Sequence, residues 1–184
     1  MTESELRDAI CAHGRLLYGR GYCVGSAGNI SVRLRDGGGV LMTPTNSCLG
    51  RLEPDRISKL DAFWRHVAGD KPSKEVFMHR AVLGSRPEAG AVVHLHSTHA
   101  TAIACLAAPG DPAAGPAIAE AAKGARALLL GNHGPVVSGK TLDDAVWAAE
   151  ELEEAARLAL MLRGLPGLRA LDAAQVDDLL ATFG

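Results

Sequence analysis

The segment AVVHLHSTH at 91–99 holds three histidines, and two of them, His94 and His96, stand two apart behind an apolar, β-branched run. Ala91, Val92 and Val93 predict a strand. Residues two apart on a strand share a side, so both imidazoles project from one face, with Leu95 on the other. Two imidazoles so placed suit a divalent metal, most often zinc. The alternative is a pair of polar residues finishing a strand in contact with solvent. A further histidine, His133, lies in GNHG at 131–134, again just past an apolar run. Glu75 stands at the start of a helical pattern ahead of the first pair. Three imidazoles plus an exchangeable position are the layout of a catalytic zinc site. A metal held that way polarises a carbonyl and stabilises an enediolate. Glu75 has two readings: a carboxylate aimed at the metal, or a charge that compensates the positive end of the helix dipole. His99 falls off the strand and is assigned to packing or to hydrogen bonding behind the ligands. His13 and His79 lie on helices and read as ordinary structural or surface residues.

Two loops offer a second kind of chemistry. Gly28 and Asn29 lie at the mouth of a strand, in a stretch that can expose backbone N–H groups. Thr45 and Asn46 lie just past the strand that returns, so both loops share a neighbourhood if these strands pair. Small polar loops of this kind cradle phosphate, or they serve only as turns. Pro72 sets an extended entry to the next helix, Ser73 is a good N-cap for it, and Lys74 beside it reads as a solvated lysine or as a cation for an anionic ligand.

These residues need elements to carry them. Leu6, Ile10 and Leu17 at helical spacing predict a first helix over 3–19. Ile30, Val32 and Leu34 alternate with Ser31 and Arg33, which predicts a half-buried strand. Residues 36–39 read as a glycine-rich hairpin turn and 40–43 as the return strand. A further strand is expected at 57–61, and a helix from Val76 that ends before Arg86. Another helix is expected over 98–106, then a Pro/Gly-rich break at 107–114 and a short helical piece at 118–122. Residues 126–130 read as a buried strand and 135–137 as another. Leu142, Val146, Ala149, Leu152, Ala156 and Leu160 predict a long amphipathic helix, with Glu150, Glu151, Glu153 and Glu154 on its solvated face. A last short helix is expected around Val176, Leu179 and Leu180. No internal repeat or long linker divides the chain, so residues 1–184 are read as one domain.

Composition narrows the function classes. A formal net charge of −2 implies no large basic surface for nucleic acid, and aromatic residues, at 4%, are too few for a base-stacking platform. Cys11, Cys23, Cys48 and Cys105 are scattered without a CxxC pair, which fits reduced thiols in the cytoplasm. The segment MTESELRDAI is charged and carries no signal-peptide core. No apolar run approaches a membrane span, so no membrane partner is expected.

Five motifs together resemble the class II aldolase/adducin family: SAGNIS at 26–31, TPT at 43–45, PSKE at 72–75, HLH at 94–96 and NHG at 132–134. They stand in the family's order over most of the chain. The resemblance implies an α/β/α sandwich around a mostly antiparallel sheet, and a homotetramer with active sites between subunits. It implies that His94, His96 and His133 bind one zinc ion per subunit, with Glu75 as the acid/base residue that also ligates the metal when no substrate is bound. It assigns the substrate phosphate to Gly28, Asn29, Thr45 and Ser73. Within the family, KPSKE followed by HLHSTHATAIACL is most similar to the 3-oxo-tetronate 4-phosphate decarboxylases, which release carbon dioxide and dihydroxyacetone phosphate. Lys74 stands where the fuculose-phosphate aldolase pattern has a second serine, so it is a candidate for the phosphate or the carboxylate.

Two departures accompany the resemblance. Asn46 replaces the glycine usual after TPT, which affects a backbone contact to phosphate. The interval between His96 and His133 is shorter than the family's, near 106–109, where the family carries a strand and substrate-facing residues. Either the protein lacks that segment or a disordered stretch is left out of the sequence; PGDP at 109–112 reads as the far side of such a gap and favours the second. The expected function is zinc-dependent decarboxylation of a phosphorylated keto sugar acid through an enediolate. The rivals are a sugar-phosphate aldolase or epimerase, and a non-catalytic, adducin-like interaction module.

Overall fold

Among the described residues the strands assemble into one seven-stranded sheet in which every pairing is antiparallel. The computed structural model describes residues 1–106 and 115–183. The break at 107–114, with the short interval noted above, lies outside the described residues. In chain order the elements are α1 (Glu3–Gly19), β1 (Asn29–Arg33), β2 (Val40–Met42), β3 (Ser58–Leu60), β4 (His66–Ala68), α2 (Val76–Ser85), β5 (Ala91–His94), α3 (Thr98–Leu106), α4 (Gly115–Gly124), β6 (Ala127–Leu130), β7 (Gly134–Gly139), α5 (Leu142–Leu162) and α6 (Ala173–Phe183). The sheet order is β4-β3-β2-β1-β5-β7-β6.

Strand alternation sends successive side chains into two separate cores. Ile30, Val32, Leu41, Val93, Leu95 and Val137 pack with Ile10 and Leu17 of α1 and Val146 and Ala149 of α5. Val40, Met42, Val92 and Val136 pack with Met78 and Val82 of α2 and Ile118 and Ala122 of α4. The sheet is therefore the middle of three layers, as the expected α/β/α arrangement requires. Among the described residues no helix is long and apolar enough to cross a membrane.

The helices begin where the sequence signals them. Thr2 accepts from the Glu5 N–H and Glu5 accepts from the Thr2 N–H, a reciprocal cap that fixes the start of α1. Thr141 and Asp144 repeat it at α5. Ser73 differs from expectation: α2 starts at Val76 as expected, but Glu75 rather than Ser73 takes the N-cap position, and no side chain caps it. The Ser73 hydroxyl instead accepts from the Glu75 N–H at 3.2 Å, in a turn that precedes the helix. The Glu75 carboxylate is drawn away from the helix end toward the histidines described below.

Other expectations change where tertiary packing overrides pattern. Ser31, read as the solvent side of a half-buried strand, is fully buried, because α2 covers that face of β1. The strand at 126–130 was expected buried; β6 is the sheet's edge, partly exposed along its length, with Leu129 open to solvent. The short exposed strand β4 lies at the other edge and carries no alternation that would mark it. Glu153, expected on the solvated face of α5, is buried. Its carboxylate accepts the N–H groups of His99 and Ala100 at 2.9 Å each, and His99 Nδ1 approaches it at 2.8 Å. The first N–H groups of a helix have no partner within it, and here a neighbouring helix supplies the acceptor. Burial pushes the Glu153 carboxyl up, and these hydrogen bonds more than offset it, leaving the group below the usual carboxylate range. The contact locks the corner that follows His96. Glu153→Ala leaves both N–H groups without an acceptor and is expected to cost about 2–4 kcal/mol. Urea unfolding measures it, and a loss below about 1 kcal/mol contradicts this role.

Candidate functional site

Strand pairing brings the polar loops to one end of the sheet. β1 pairs with β5 so that Asn29 stands opposite His94. β1 also pairs with β2, and the Thr43 hydroxyl accepts the Ile30 N–H at 3.1 Å, pinning the two loops side by side. The chain beyond β2 is bridged to the entry of α2: the Thr45 N–H donates to the Lys71 carbonyl at 2.9 Å, and the Ser73 N–H to the Thr43 carbonyl at 3.2 Å. These contacts enclose a cavity of about 430 Å³ lined by Ser26, Gly28, Asn29, Thr45, Asn46, Ser73, Lys74, Glu75 and His96. All six candidate phosphate residues thus face one space. Gly28 has a φ of +81°, and a Cβ there would stand 3.1 Å from the His94 carbonyl, so the turn needs glycine. Asn46 has a φ of +55°. Asparagine tolerates that left-handed conformation better than most residues, so the substitution keeps the backbone shape glycine would give.

Three histidines and one carboxylate converge beside this cavity. His94 Nε2 is 3.0 Å from His96 Nε2 and 3.1 Å from His133 Nε2. Glu75 Oε1 is 2.9 Å from His133 Nε2, and Oε2 is 3.6 Å from His94 Nε2. The four ligand atoms all lie within 4.8 Å of one another. His94 is the last residue of β5 and is fully buried. His96 lies just past the strand end and His133 in the turn between β6 and β7. That turn is tightly seated: Asn132 has a φ of +55°, and a Cβ on Gly134 would meet the Leu95 carbonyl at 2.3 Å. His99 turns away from the cluster to Glu153, as assigned.

The donor set fits a divalent metal. His94 Nδ1–H donates to the Pro135 carbonyl at 2.8 Å, which leaves the Nε2 lone pair facing the cluster. Tetrahedral coordination at metal–nitrogen distances of about 2.1 Å separates the nitrogens by about 3.4 Å, close to the observed spacing. Imidazole nitrogens this near one another need protons or a cation between them. Neutral rings with lone pairs converging on one point are satisfied together by a single cation.

The charges of the cluster are unequal. The hydrogen bond with His133 holds the Glu75 carboxyl down at about 2, against the opposing effect of burial, with help from His94 and Asn29. The same bond raises His133. Burial lowers His94 to about 4 and also lowers His96. Glu75 therefore rests as a carboxylate beside two rings, His94 and His96, that burial inclines to the neutral form, and a third, His133, whose protonated form it favours.

His79 is the residue whose part the sequence reading missed. It is fully buried beneath the site, with Nδ1 2.7 Å from Ser31 Oγ and Nε2 hydrogen-bonded to Asn29 Oδ1. Asn29 Nδ2 in turn donates to Glu75 Oε2 at 2.5 Å. Two spacings carried the signal: His79 lies one helical turn after Glu75, and Asn29 and Ser31 share a strand face. His13, by contrast, pairs near the surface with Asp143 at 2.7 Å.

Burial pulls His79 down to about 3. An unfolded histidine titrates near 6.5, so below that pH the unfolded chain binds protons that native His79 and His94 refuse. Stability of the metal-free protein is therefore expected to fall as the pH drops from 6.5 toward 4, by up to about 1.4 kcal/mol per pH unit for each ring. His133 acts in the opposite sense, but its stabilising effect is already complete below its ordinary value of 6.5. Urea midpoints of chelator-treated protein between pH 7 and 4.5 test this, and a flat profile contradicts it.

Comparison with known proteins places the chain. The profile of the family described as "Class II Aldolase and Adducin N-terminal domain" matches residues 8–112 and 106–160. A 3-oxo-tetronate 4-phosphate decarboxylase of Cupriavidus necator is 41% identical over 197 aligned positions, covering 92% of this chain and 90% of its own. The alignment is longer than the part of this chain that it uses, so the relative carries residues with no counterpart here. The two profile matches meet at 106–112, inside the interval that is short by the family's pattern. An L-fuculose phosphate aldolase of Haemophilus influenzae is more distant, 32% identical over 86% of this chain and 84% of its own. Among solved structures, YgbL of Klebsiella pneumoniae, described by the alternatives aldolase, epimerase or decarboxylase, superposes with a TM-score of 0.90 at 41% identity, over 97% of this chain and 99% of its own. The chain belongs to the class II aldolase/adducin family.

Proposed function

We propose that this chain decarboxylates a 3-oxo-tetronate 4-phosphate to dihydroxyacetone phosphate and carbon dioxide, using one zinc ion per subunit. The observation that carries the reading is the meeting of three imidazole nitrogens and Glu75, with His96 and Glu75 lining a cavity that also presents hydroxyl, amide and glycine groups and the Lys74 ammonium. Relatives near 40% identity that bear the decarboxylase name support the choice of reaction over aldol cleavage. We read residues 1–184 as a single domain of this family.

In this reading His94, His96 and His133 hold the metal, and Glu75 joins them when no substrate is present. A divalent cation supplies positive charge to the ketone and hydroxyl oxygens of the substrate as negative charge develops there. The chain's own groups do the rest. Gly28, Asn29, Thr45, Asn46 and Ser73 present N–H and hydroxyl donors to the phosphate. Loss of carbon dioxide leaves an electron pair on the carbon beside the ketone, giving an enediolate, and one proton must reach that carbon. Glu75, a carboxylate at rest, takes that proton from solvent and hands it on from a carboxyl oxygen. Lys74, exposed at the rim of the cavity, holds the substrate carboxylate or its phosphate.

We further read the protein as a cytoplasmic homotetramer with active sites at subunit interfaces. The exposed apolar side chains Val176, Leu179 and Leu180 of α6 favour association, and sedimentation velocity tests it.

Carbon dioxide release from 3-oxo-tetronate 4-phosphates by the purified protein tests the central reading. Cleavage of fuculose phosphate with no carbon dioxide from any keto acid overturns it in favour of an aldolase. A chain that binds no zinc favours the non-catalytic module. His94→Ala or His133→Ala is expected to abolish activity and lower metal content, because an incomplete set of ligands holds the ion weakly; full occupancy with normal turnover contradicts the ligand assignment. Glu75→Gln is expected to keep zinc and lose roughly two to four orders of magnitude in turnover, and near-normal turnover assigns the proton elsewhere. If Lys74 serves the carboxylate, Lys74→Ser impairs decarboxylation while product inhibition by dihydroxyacetone phosphate stays unchanged. If it serves the phosphate, both weaken together.

A further inference from the structure

We infer that His79, whose side chain bonds to no candidate metal ligand and does not line the cavity, is a positioning residue that sets the orientation of Asn29 and through it aims the Glu75 carboxylate. This rests on the reading of Glu75 as the proton-transfer residue. The basis is a single file of hydrogen bonds, from Ser31 Oγ to His79 Nδ1, from His79 Nε2 to Asn29 Oδ1, and from Asn29 Nδ2 to Glu75 Oε2.

The direction of this file is fixed from its far end. Glu75 is a carboxylate and only accepts, so the Asn29 group facing it at 2.5 Å is the NH₂. The Asn29 oxygen must then face His79, and His79 must donate to it from Nε2. A neutral imidazole that carries its proton on Nε2 has a lone pair on Nδ1, so Ser31 donates its hydroxyl proton there at 2.7 Å. The reverse order would turn the Asn29 oxygen onto the Glu75 carboxylate, oxygen against oxygen. Every member has one role, and none can flip alone.

The arrangement divides the work of Glu75. Oε2 is held by Asn29, while Oε1 faces His133 at 2.9 Å. Asn29 lines the cavity, so its NH₂ and Glu75 are presented to a ligand as one unit. His79 is fully buried under them, on the turn of α2 that follows Glu75, and Ser31 is equally buried. Neither can meet substrate. Their contribution is to stop the short Asn29 side chain from rotating, and removing such supporting partners typically costs 10–100-fold in activity or metal affinity.

The test compares two polar replacements of different reach. The amide of His79→Gln can occupy the place of Nε2 and donate to Asn29; the amide of His79→Asn stops near the place of Nδ1 and cannot. With zinc content measured in both, His79→Asn is expected to lose about 10–100-fold in kcat and His79→Gln to recover most of it. Adding His79→Asn to Asn29→Ala is expected to cost nothing further. Equal activity in the two His79 variants, or losses that multiply with Asn29→Ala, overturn the proposal. If both variants fail to fold, Ser31→Ala leaves His79 in place but removes the donor that fixes its ring proton. A several-fold lower kcat at unchanged zinc content supports the file, and unchanged kcat overturns it. A readout independent of turnover is the ring proton itself: ¹⁵N NMR of His79 in the unmodified protein is expected to find Nε2 protonated and Nδ1 bare, and the opposite assignment overturns the proposal. An unmodified protein that releases no carbon dioxide defeats the functional reading and leaves the ring assignment to be judged by NMR. An active protein whose His79→Asn variant turns over normally defeats this inference alone.

Discussion

Asn29 stands opposite His94 in the antiparallel pairing of β1 with β5, and the site is built on that register. The pairing carries the SAGN loop to the end of the strand that delivers His94. The next pairings carry the TPT loop to one side and the NHG turn to the other. Because side chains alternate along a strand, a slip of one residue would send Asn29 and His94 into the opposite core. The apolar residues between them prevent it. Ile30, Val32, Val93 and Leu95 fill one core, and Val92 fills the other.

One face of β1 pays for this with polar residues under a helix. Asn29, Ser31 and Arg33 all turn toward α2, where water is excluded from the first two. α2 answers each of them. His79 meets Asn29 and Ser31, and Arg33 donates to the carbonyls of Leu83 and Ala89 at 2.8 and 3.2 Å. A buried polar network stabilises only when every member is satisfied. Its completeness here fixes α2 on the sheet, and with it the position of Glu75 at the helix start. Beyond His96, Glu153 plays the same part at the start of α3. The segments that carry Glu75 and His96 are thus held from behind by buried polar contacts, and both residues line the cavity in front.

The electrostatics follow from this packing. Burial keeps His94 and His79 neutral, and the bond to His133 keeps Glu75 ionised. Imidazole nitrogens and one negative charge converge on one point. That is the environment a divalent ion needs, and it is the same whether the ensuing chemistry is aldol cleavage or decarboxylation. In the proposed reading the difference between those reactions is assigned to Lys74 at the cavity.

By itself the sequence determined what depends on local pattern. Helical pattern placed α1, α3 and α5, alternation placed β1, and an apolar, β-branched run placed β5. Histidines at the ends of apolar runs, with Glu75 at a helix start, marked the candidate ligands, and the five motifs identified the family. Only the tertiary structure decided what depends on residues distant in the chain. Ser31 and Glu153 read as solvated because a polar residue in an alternating pattern normally faces water; each is buried because a partner helix supplies its hydrogen bonds. His79 read as ordinary because a lone histidine on a helix carries no signal until Asn29, fifty residues earlier, is brought beneath it. The edge position of β6 was hidden for the same reason: strand order is a property of the assembled sheet, and an apolar run does not record whether it has one neighbour or two.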